Sequence, residues 1–391
     1  MNILANKKTR AYLLIAPLIL FILTFFIWPI TVVMKQSVSD DAVLVVLKET
    51  TDIIGNWDKQ SPPTLEMKQG LVTDLKAETD QQKIGDMVRK LNSEQPGFRT
   101  LFTKTLNVVK ASDTPPDLET IDKRWSEPQY WHAIDKLSSP VTDRFLLAAV
   151  DMERNVEGKI VSMPDGKSAN QEMLLRTFWI AALVTIFCVL IGYPYAVLLA
   201  SSSGWTKAIL FGAVLLPLWT SLLVRTAAWF ILLQDNGLIN GVLTTLGLAA
   251  EPLQLIFNRT GVVIAMTHVL LPFMVLPIYS VVSNIPKNLM PAAASLGAAP
   301  WRAFLKVLLP LSLRGILSGM LLVFMTAIGY YITPALIGGA SDQMISSVIA
   351  YYAMGAANWG MAGALGMVLL VACLILYFVY ARMTDDKPRK A

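Results

Sequence analysis

From Thr260 to Asn284 the chain runs 25 residues without an Asp, Glu, Lys or Arg. A helix rises roughly 1.5 Å per residue, so a stretch of this length can cross the ~30 Å hydrocarbon core of a bilayer. Five more stretches read the same way, near 11–34, 177–201, 208–233, 313–336 and 360–382. Buried helices of a large soluble core would need polar residues every few positions to face water, and these stretches lack them. The composition agrees, with 54% hydrophobic and only 16% charged residues. The expected fold is an all-α polytopic membrane protein with six transmembrane helices.

Lys7, Lys8 and Arg10 precede the first run, which reaches Val33 with no small-x-small cleavage site. It is expected to remain as an uncleaved anchor. Orientation follows from Lys and Arg near the ends of the spans. With the N-terminus inside, Lys207, Lys287, Arg302, Lys306, Arg314, Arg382, Lys387, Arg389 and Lys390 fall on the cytoplasmic side along with the N-terminal cluster. The opposite short loops hold little beyond Arg259, with Asp235, Glu251 and Asp342. Both termini are therefore expected in the cytoplasm.

Residues 36–172 have a different character. They carry 17 Lys and Arg against 23 Asp and Glu, a net of −6, while the rest of the chain is net +11. The basic overall charge thus describes no single part, and a nucleic-acid partner is not expected. Long loops escape the positive-inside rule, so this acidic segment is expected to be a water-facing external domain between the first two spans. Leu71, Leu75, Ile84, Met87, Val88 and Leu91 recur at helical spacing, and Pro62-Pro63 and Pro115-Pro116 punctuate it. A mostly helical domain is predicted, with a short hairpin in Lys159–Lys167 at an Asp-Gly turn. Cys188 and Cys373 both lie in spans, so no disulfide staples the domain. The division is then 1–35 for the N-terminus and first helix, 36–172 for the external domain, and 173–391 for the membrane core with a cytoplasmic loop at 285–312.

Catalytic constellations are not found. Gly166-Lys167-Ser168 resembles the end of a phosphate-cradling loop, but Val161 stands where its first glycine belongs. His132 and His268 fall in different compartments without Cys or carboxylates at ligand spacing, and each reads as a satisfied polar residue. Asn258-Arg-Thr260 fits a glycosylation acceptor but abuts a span, and it is discounted. No metal or cofactor is expected on this chain.

Polar groups inside a membrane are costly and tend to face a cavity or another helix. Arg225 is the single charge well within a span, and it reads either as an interfacial anchor or as part of a network beside a solute path. Pro194, Pro217, Pro272, Pro277 and Pro334 interrupt spans and free backbone carbonyls, which points to kinked helices around a cavity.

The segment Pro291-Ala-Ala-Ala-Ser-Leu-Gly297, followed after nine residues by Val307-Leu-Leu-Pro310, lies between two spans. It resembles the cytoplasmic loop of type I ATP-binding-cassette importer permeases, in the branch that includes spermidine/putrescine permeases. That loop reads E-A-A-x3-G-x9-I-x-L-P. Here Ala292, Ala293, Gly297, Leu309 and Pro310 match, Val307 replaces Ile, and Pro291 stands in place of Glu. Arg176-Thr-Phe-Trp179, Gly192-Tyr-Pro-Tyr195, Asn236-Gly-Leu-Ile-Asn240 and Tyr331-Ile-Thr-Pro334 are also similar to polyamine-type permeases. The resemblance covers most of the membrane region and leaves out 36–172.

The resemblance implies a bacterial inner-membrane permease of the type I importer fold, whose loop docks as a short coupling helix in a separate ATPase subunit. ATP and magnesium would be bound by that partner. A second permease subunit and an external solute-binding protein are implied as well. The residues agree with docking: Gly297 permits a turn or close approach, Ala292 and Ala293 leave room for a surface, and Arg302 and Lys306 add a basic rim. Trp301, Phe304 and Leu305 also suit a helix lying on lipid. For the translocation path the candidates are Trp219, Arg225, Trp229, Tyr330 and Tyr331, whose aromatic faces suit a cationic amine. Polyamine cargo is the expectation, with another amine or an amino-acid derivative as the alternative. An ion-coupled secondary transporter would show intramembrane acids or a repeated half, and neither is detected.

Overall fold

The computed structural model describes residues 7–59, 61–112, 114–155, 158–164, 166 and 169–384. They form two compact units, Met1–Leu147 with Trp359–Ala364, and Ala148–Asn358 with Leu365–Ala391.

The first unit begins with α1 (Lys7–Ile22), which passes through a π-helical turn at Leu23–Ile27 into α2 (Trp28–Gln36). Its apolar stretch Leu13–Gln36 has none of its residues buried. Such a surface is stable only in a non-aqueous surrounding. The chain then enters a bundle of short helices: α3 (Ala42–Val46), α4 (Lys48–Ile54), α5 (Leu65–Ala77), α6 (Gln81–Glu94), α7 (Phe98–Ala111), α8 (Leu118–Ile121) and α9 (Pro128–Lys136). Thr64 caps α5 by accepting from the Met67 amide, and Asp80 caps α6 by accepting from Gln82 and Lys83. The helical stripe read from the sequence faces inward, with Leu71, Leu75, Met87 and Leu91 fully buried among Phe98, Phe102, Trp125 and Trp131. Both tryptophans keep their N–H satisfied, Trp125 on Thr105 Oγ1 at 2.9 Å and Trp131 on the Trp125 carbonyl at 3.0 Å. Asp74, buried on α5, accepts from the amides of Glu49 and Thr50 and so caps the start of α4.

The two ends of this bundle are clipped together. Ser39 bridges Val141, the Asp40 amide donates to the Pro140 carbonyl, and the Thr142 amide donates to the Val38 carbonyl. Asp40 pairs with Lys90 and, at 3.2 Å, with Arg144, which also reaches Glu94.

The second unit takes up the end of α10 (Arg144–Ala149) and continues with a hairpin of β1 (Met152–Arg154) and β2 (Ile160–Ser162), paired antiparallel. Here the expectation is corrected. Ile160–Ser162 does enter a hairpin, but the chain reverses before it, where Asn155 Oδ1 accepts from the Lys159 amide and closes the loop. Gly166 is a turn residue with φ +86°, whereas Asp165, Lys167 and Ser168 lie outside the described residues, as does the phosphate-loop reading placed there.

The membrane core follows as α11 (Asn170–Ser201), α12 (Gly204–Trp219), α13 (Leu222–Leu232), α14 (Leu238–Thr245), α15 (Arg259–Val282), α16 (Leu289–Ser295), α17 (Pro300–Ala303), α18 (Leu309–Gly329), α19 (Ile332–Ile337), α20 (Ile345–Ala350) and α21 (Trp359–Thr384). Among the described residues, five helical spans are long and apolar enough to cross a membrane, or six if the bent pair α12 and α13 is counted as one span. At the centre, α11, α15 and α18 pack through Val184, Cys188, Met266, Met274, Ile278 and Val323. A Cβ on Gly319 would lie 3.1 Å from the Met274 carbonyl, and one on Gly315 3.0 Å from the Pro277 carbonyl, so glycine is what lets α18 approach α15 this closely.

Three spans differ from the sequence reading, the second by starting at Asn170 and not at 177. The stretch 208–233 is not one straight span, because the chain bends by 103° between α12 and α13. Thr220 is extended at the corner, and Arg225 Nη2 donates to its carbonyl at 2.9 Å, satisfying an oxygen that the break leaves without a helical partner. The fifth span runs Pro300–Gly329, through a π-helical turn at Phe304–Leu308, not 313–336. It stops at Tyr330, which turns extended, and Pro334 then sits in the first turn of α19, where its missing N–H costs nothing.

Candidate functional site

The segment joining α15 to α18 presents α16, a helix of seven residues with Pro291, Ala292, Ala294 and Ser295 exposed and Ala293 half-buried. Leu296 ends it and Gly297 follows with φ +81°, a left-handed conformation that L side chains rarely adopt. The Gly297 amide donates to the Ala294 carbonyl and the Ala298 amide to the Ala293 carbonyl, the hydrogen-bond pair of a Schellman stop. Space around Gly297 is open, since a Cβ there would meet nothing within 4 Å. Within this chain, then, glycine serves the turn and not a close contact. Leu296 is 88% and Trp301 60% exposed, with the Arg302 guanidinium 5.1 Å from the Trp301 ring centroid. Val307 and Leu309 are half-buried and Pro310 is exposed, and all three continue directly into the span.

The candidate path residues separate. Trp219 is 81% exposed beside the corner. Arg225 and Trp229 lie one turn apart on α13 and are half-buried. Trp229 Nε1 donates to Nδ1 of His268 on α15 at 3.1 Å, with the rings 5.3 Å apart. Arg225 acts electrostatically on both His268 and Tyr330, so these side chains share one neighbourhood. Its hydrogen bonds go to Thr220 Oγ1 and the Thr220 carbonyl, and among the described residues no carboxylate pairs with it. Tyr331 is outside this group and 38% exposed, its carbonyl accepting from Ser347 at 3.4 Å.

Trp229 and His268 border a cavity of about 540 Å³, which also meets Leu183, Phe187 and Ile191 of α11, and Arg259, Thr260, Val263, Ile264, Thr267 and Leu271 of α15. Arg259 Nε donates to Asp342 Oδ1 at 3.1 Å and is neutralised there. Of the path candidates Trp229 borders this cavity, and His268, read from the sequence as a satisfied polar residue, has Trp229 as its partner. The signal available was a histidine in the middle of an otherwise apolar run. His132, the other histidine, packs on Trp57 with ring centroids 4.8 Å apart.

Residues 192–386 match the family described as the binding-protein-dependent transport system inner membrane component. The spermidine/putrescine transport system permease protein PotB of Haemophilus influenzae is 34% identical over 219 residues, which cover 56% of this chain and 77% of that protein. The chain belongs to this permease family. PotB of Escherichia coli is 33% identical over 54% of this chain and 77% of its own length, and the inner membrane ABC transporter permease protein YdcU of the same organism is 34% identical over 54% and 71%. This ABC permease is thus a multi-pass inner-membrane protein. Its family match starts at Gly192 and leaves out the bundle of residues 43–137.

Proposed function

We propose that this chain is a permease subunit of an ATP-driven importer, with α16 and the turn at Gly297 docking in a groove of a separate ATPase subunit. The observation that carries the reading is the bare end of α16: a sharply stopped seven-residue helix between two spans, with Leu296 and Trp301 uncovered. Apolar side chains so exposed beside basic residues suit a protein partner. Ala292, Ala293 and Gly297 shape the tip, and Val307, Leu309 and Pro310 carry movement into the fifth span. Both termini are then cytoplasmic, the segment 36–172 is external, a second permease subunit completes the pathway, and an external binding protein delivers cargo.

Gly297→Leu tests this. It forces a bulky residue into the left-handed region at about 1–2 kcal/mol and adds side-chain volume at the docking tip. Uptake should fall at least tenfold with membrane abundance kept, while Gly297→Asn, which tolerates that backbone, should retain most uptake. Normal uptake in Gly297→Leu cells rejects the docking assignment.

For the cargo, the PotB relatives support a polyamine, and the aromatic faces of Trp229 and Tyr330 suit an amine. A second reading, an amino-acid derivative, is favoured by one observation: the charge near these aromatics is Arg225, with no carboxylate paired to it among the described residues.

A further inference from the structure

The connection between α13 and α15 is not built like a loop meant for water. From Asn236 to Ala250 it carries no Asp, Glu, Lys or Arg. On α14, Leu238 and Val242 lie one turn apart and Leu246 follows at the same spacing, and all three are exposed, as is Leu248 beyond them. The row is held facing outward. Asn240, buried on the opposite side of α14, donates to the carbonyls of Gln234 at 3.1 Å and Leu253 at 2.9 Å and accepts from the Leu253 amide at 2.9 Å. These three bonds pin α14 to the chain on both sides of it, so the leucines cannot turn inward. Gly247, at φ +68°, then stops the helix, its amide donating to the Thr244 carbonyl and the Leu248 amide to the Leu243 carbonyl.

The chemistry of this face fits lipid better than protein. Protein hot spots draw on Trp, Tyr and Arg, and Leu and Val are under-represented in them. The row on α14 is purely aliphatic, and the polar side chains of the helix are already used within the segment: Thr244 donates to the Asn240 carbonyl and Thr245 to the Gly241 carbonyl. The surface is also continuous along the chain with one that belongs to the membrane core, since α13 leads into it with Leu223, Val224 and Ile231 exposed. At eleven residues, roughly 16 Å, α13 is too short to cross a bilayer alone. Because α14 precedes the span α15 and α16 follows it, α14 lies at the membrane face opposite α16.

We propose that α14 is an interfacial anchor, lying in the bilayer surface opposite α16 with Leu238, Val242 and Leu246 among the acyl chains, and so fixing the depth of α13 and of Trp229 upon it. The anchor works by apolar insertion alone. No basic residue lies in the segment to attract an anionic headgroup, and its flanking charges, Asp235 and Glu251, are acidic.

The test places a nitroxide at Leu238→Cys, Val242→Cys or Leu246→Cys in a Cys188→Ala/Cys373→Ala background, with the full chain in phosphatidylcholine nanodiscs. Collision with oxygen, which partitions into lipid, is compared with collision with a water-soluble nickel chelate. The oxygen-to-nickel ratio at all three positions should approach that of Leu216→Cys on the exposed face of α12 and exceed about tenfold that of Gln82→Cys on the charged surface of the bundle. Replacing half the lipid by phosphatidylglycerol should leave it unchanged. Adding Leu238→Asp and Leu246→Asp should bring Val242→Cys to the water value, whereas Leu246→Phe should not. Should the cysteine-free background melt early, the wild-type chain decides: a lipid-partitioned diazirine should label 237–250 as strongly as α12, mapped by mass spectrometry. Water-like collision at the row, or no diazirine adduct there, would overturn the proposal. So would a row shielded from both reagents, since protein would then cover it, dipolar broadening between labels, which would mark a second copy, or a depth that follows the anionic lipid content.

Discussion

The bundle of residues 43–137 and the membrane core sort the same kinds of side chain in opposite ways. In the bundle, Trp125, Trp131 and Phe98 are buried, and Asp, Glu, Lys and Arg cover the outside in pairs such as Lys68 with Glu119 and Arg89 with Asp86. In the membrane core, Leu190, Trp205 and Leu216 are more than half exposed, while the tight contacts inside fall on glycine and methionine, as at Gly319 and Met274. The lesson is that the bundle is held by removing apolar area from water, whereas spans in lipid gain little from that and depend on close shape. Cavities should hurt most in one, and added bulk in the other.

The largest expected effect is at Trp125. Trp125→Ala should cost the bundle about 3–5 kcal/mol, enough to make 43–137 protease-sensitive in the full chain. If the two units are held by separate forces, the spans should still insert, and loss of membrane abundance would break the contrast. Next comes Gly319→Leu, where the new side chain meets Met274 backbone as well as its sulfur. Overpacking should cost about 1–3 kcal/mol, read as a lower detergent melting temperature with the bundle untouched.

A smaller effect concerns charge. The Arg124 guanidinium hydrogen-bonds Asp122 and holds its carboxyl well below the usual carboxylate range. A depressed folded-state value means the stabilisation is complete above the ordinary value near 3.8 and is lost as pH falls through the lower one. Asp122→Asn should therefore destabilise the bundle by about 1 kcal/mol at pH 7, the pair being partly exposed, and the difference should shrink below about pH 4. A difference independent of pH would assign the effect to packing. Smallest is Gly85→Ala on α6, where a Cβ meets nothing within 4 Å. Replacing a mid-helix glycine at an open site should stabilise the bundle by roughly 0.5–1 kcal/mol, raising its melting temperature slightly, the opposite sign to Gly319.

Much of this was legible in the residues alone. Uninterrupted apolar runs announce spans because a backbone in lipid has only the helix to satisfy it, and a helix buries no charge there without cost. The acidic excess of 36–172, the inward stripe of Leu71 to Leu91, and the turn glycine at Gly297 are local properties in the same sense. What the sequence could not decide depends on which groups are brought together in space. At the corner Arg225 folds back onto the carbonyl that the break at Thr220 frees, and the hairpin turns early with Met152–Arg154 as the partner strand. Trp229 meets His268 across 39 positions, and the Thr267 hydroxyl is left without a hydrogen-bond partner among the described residues, through the packing of α11, α13 and α15. Hydrophobicity is written residue by residue, but a hydrogen bond needs two groups brought to one place, and only the tertiary structure does that.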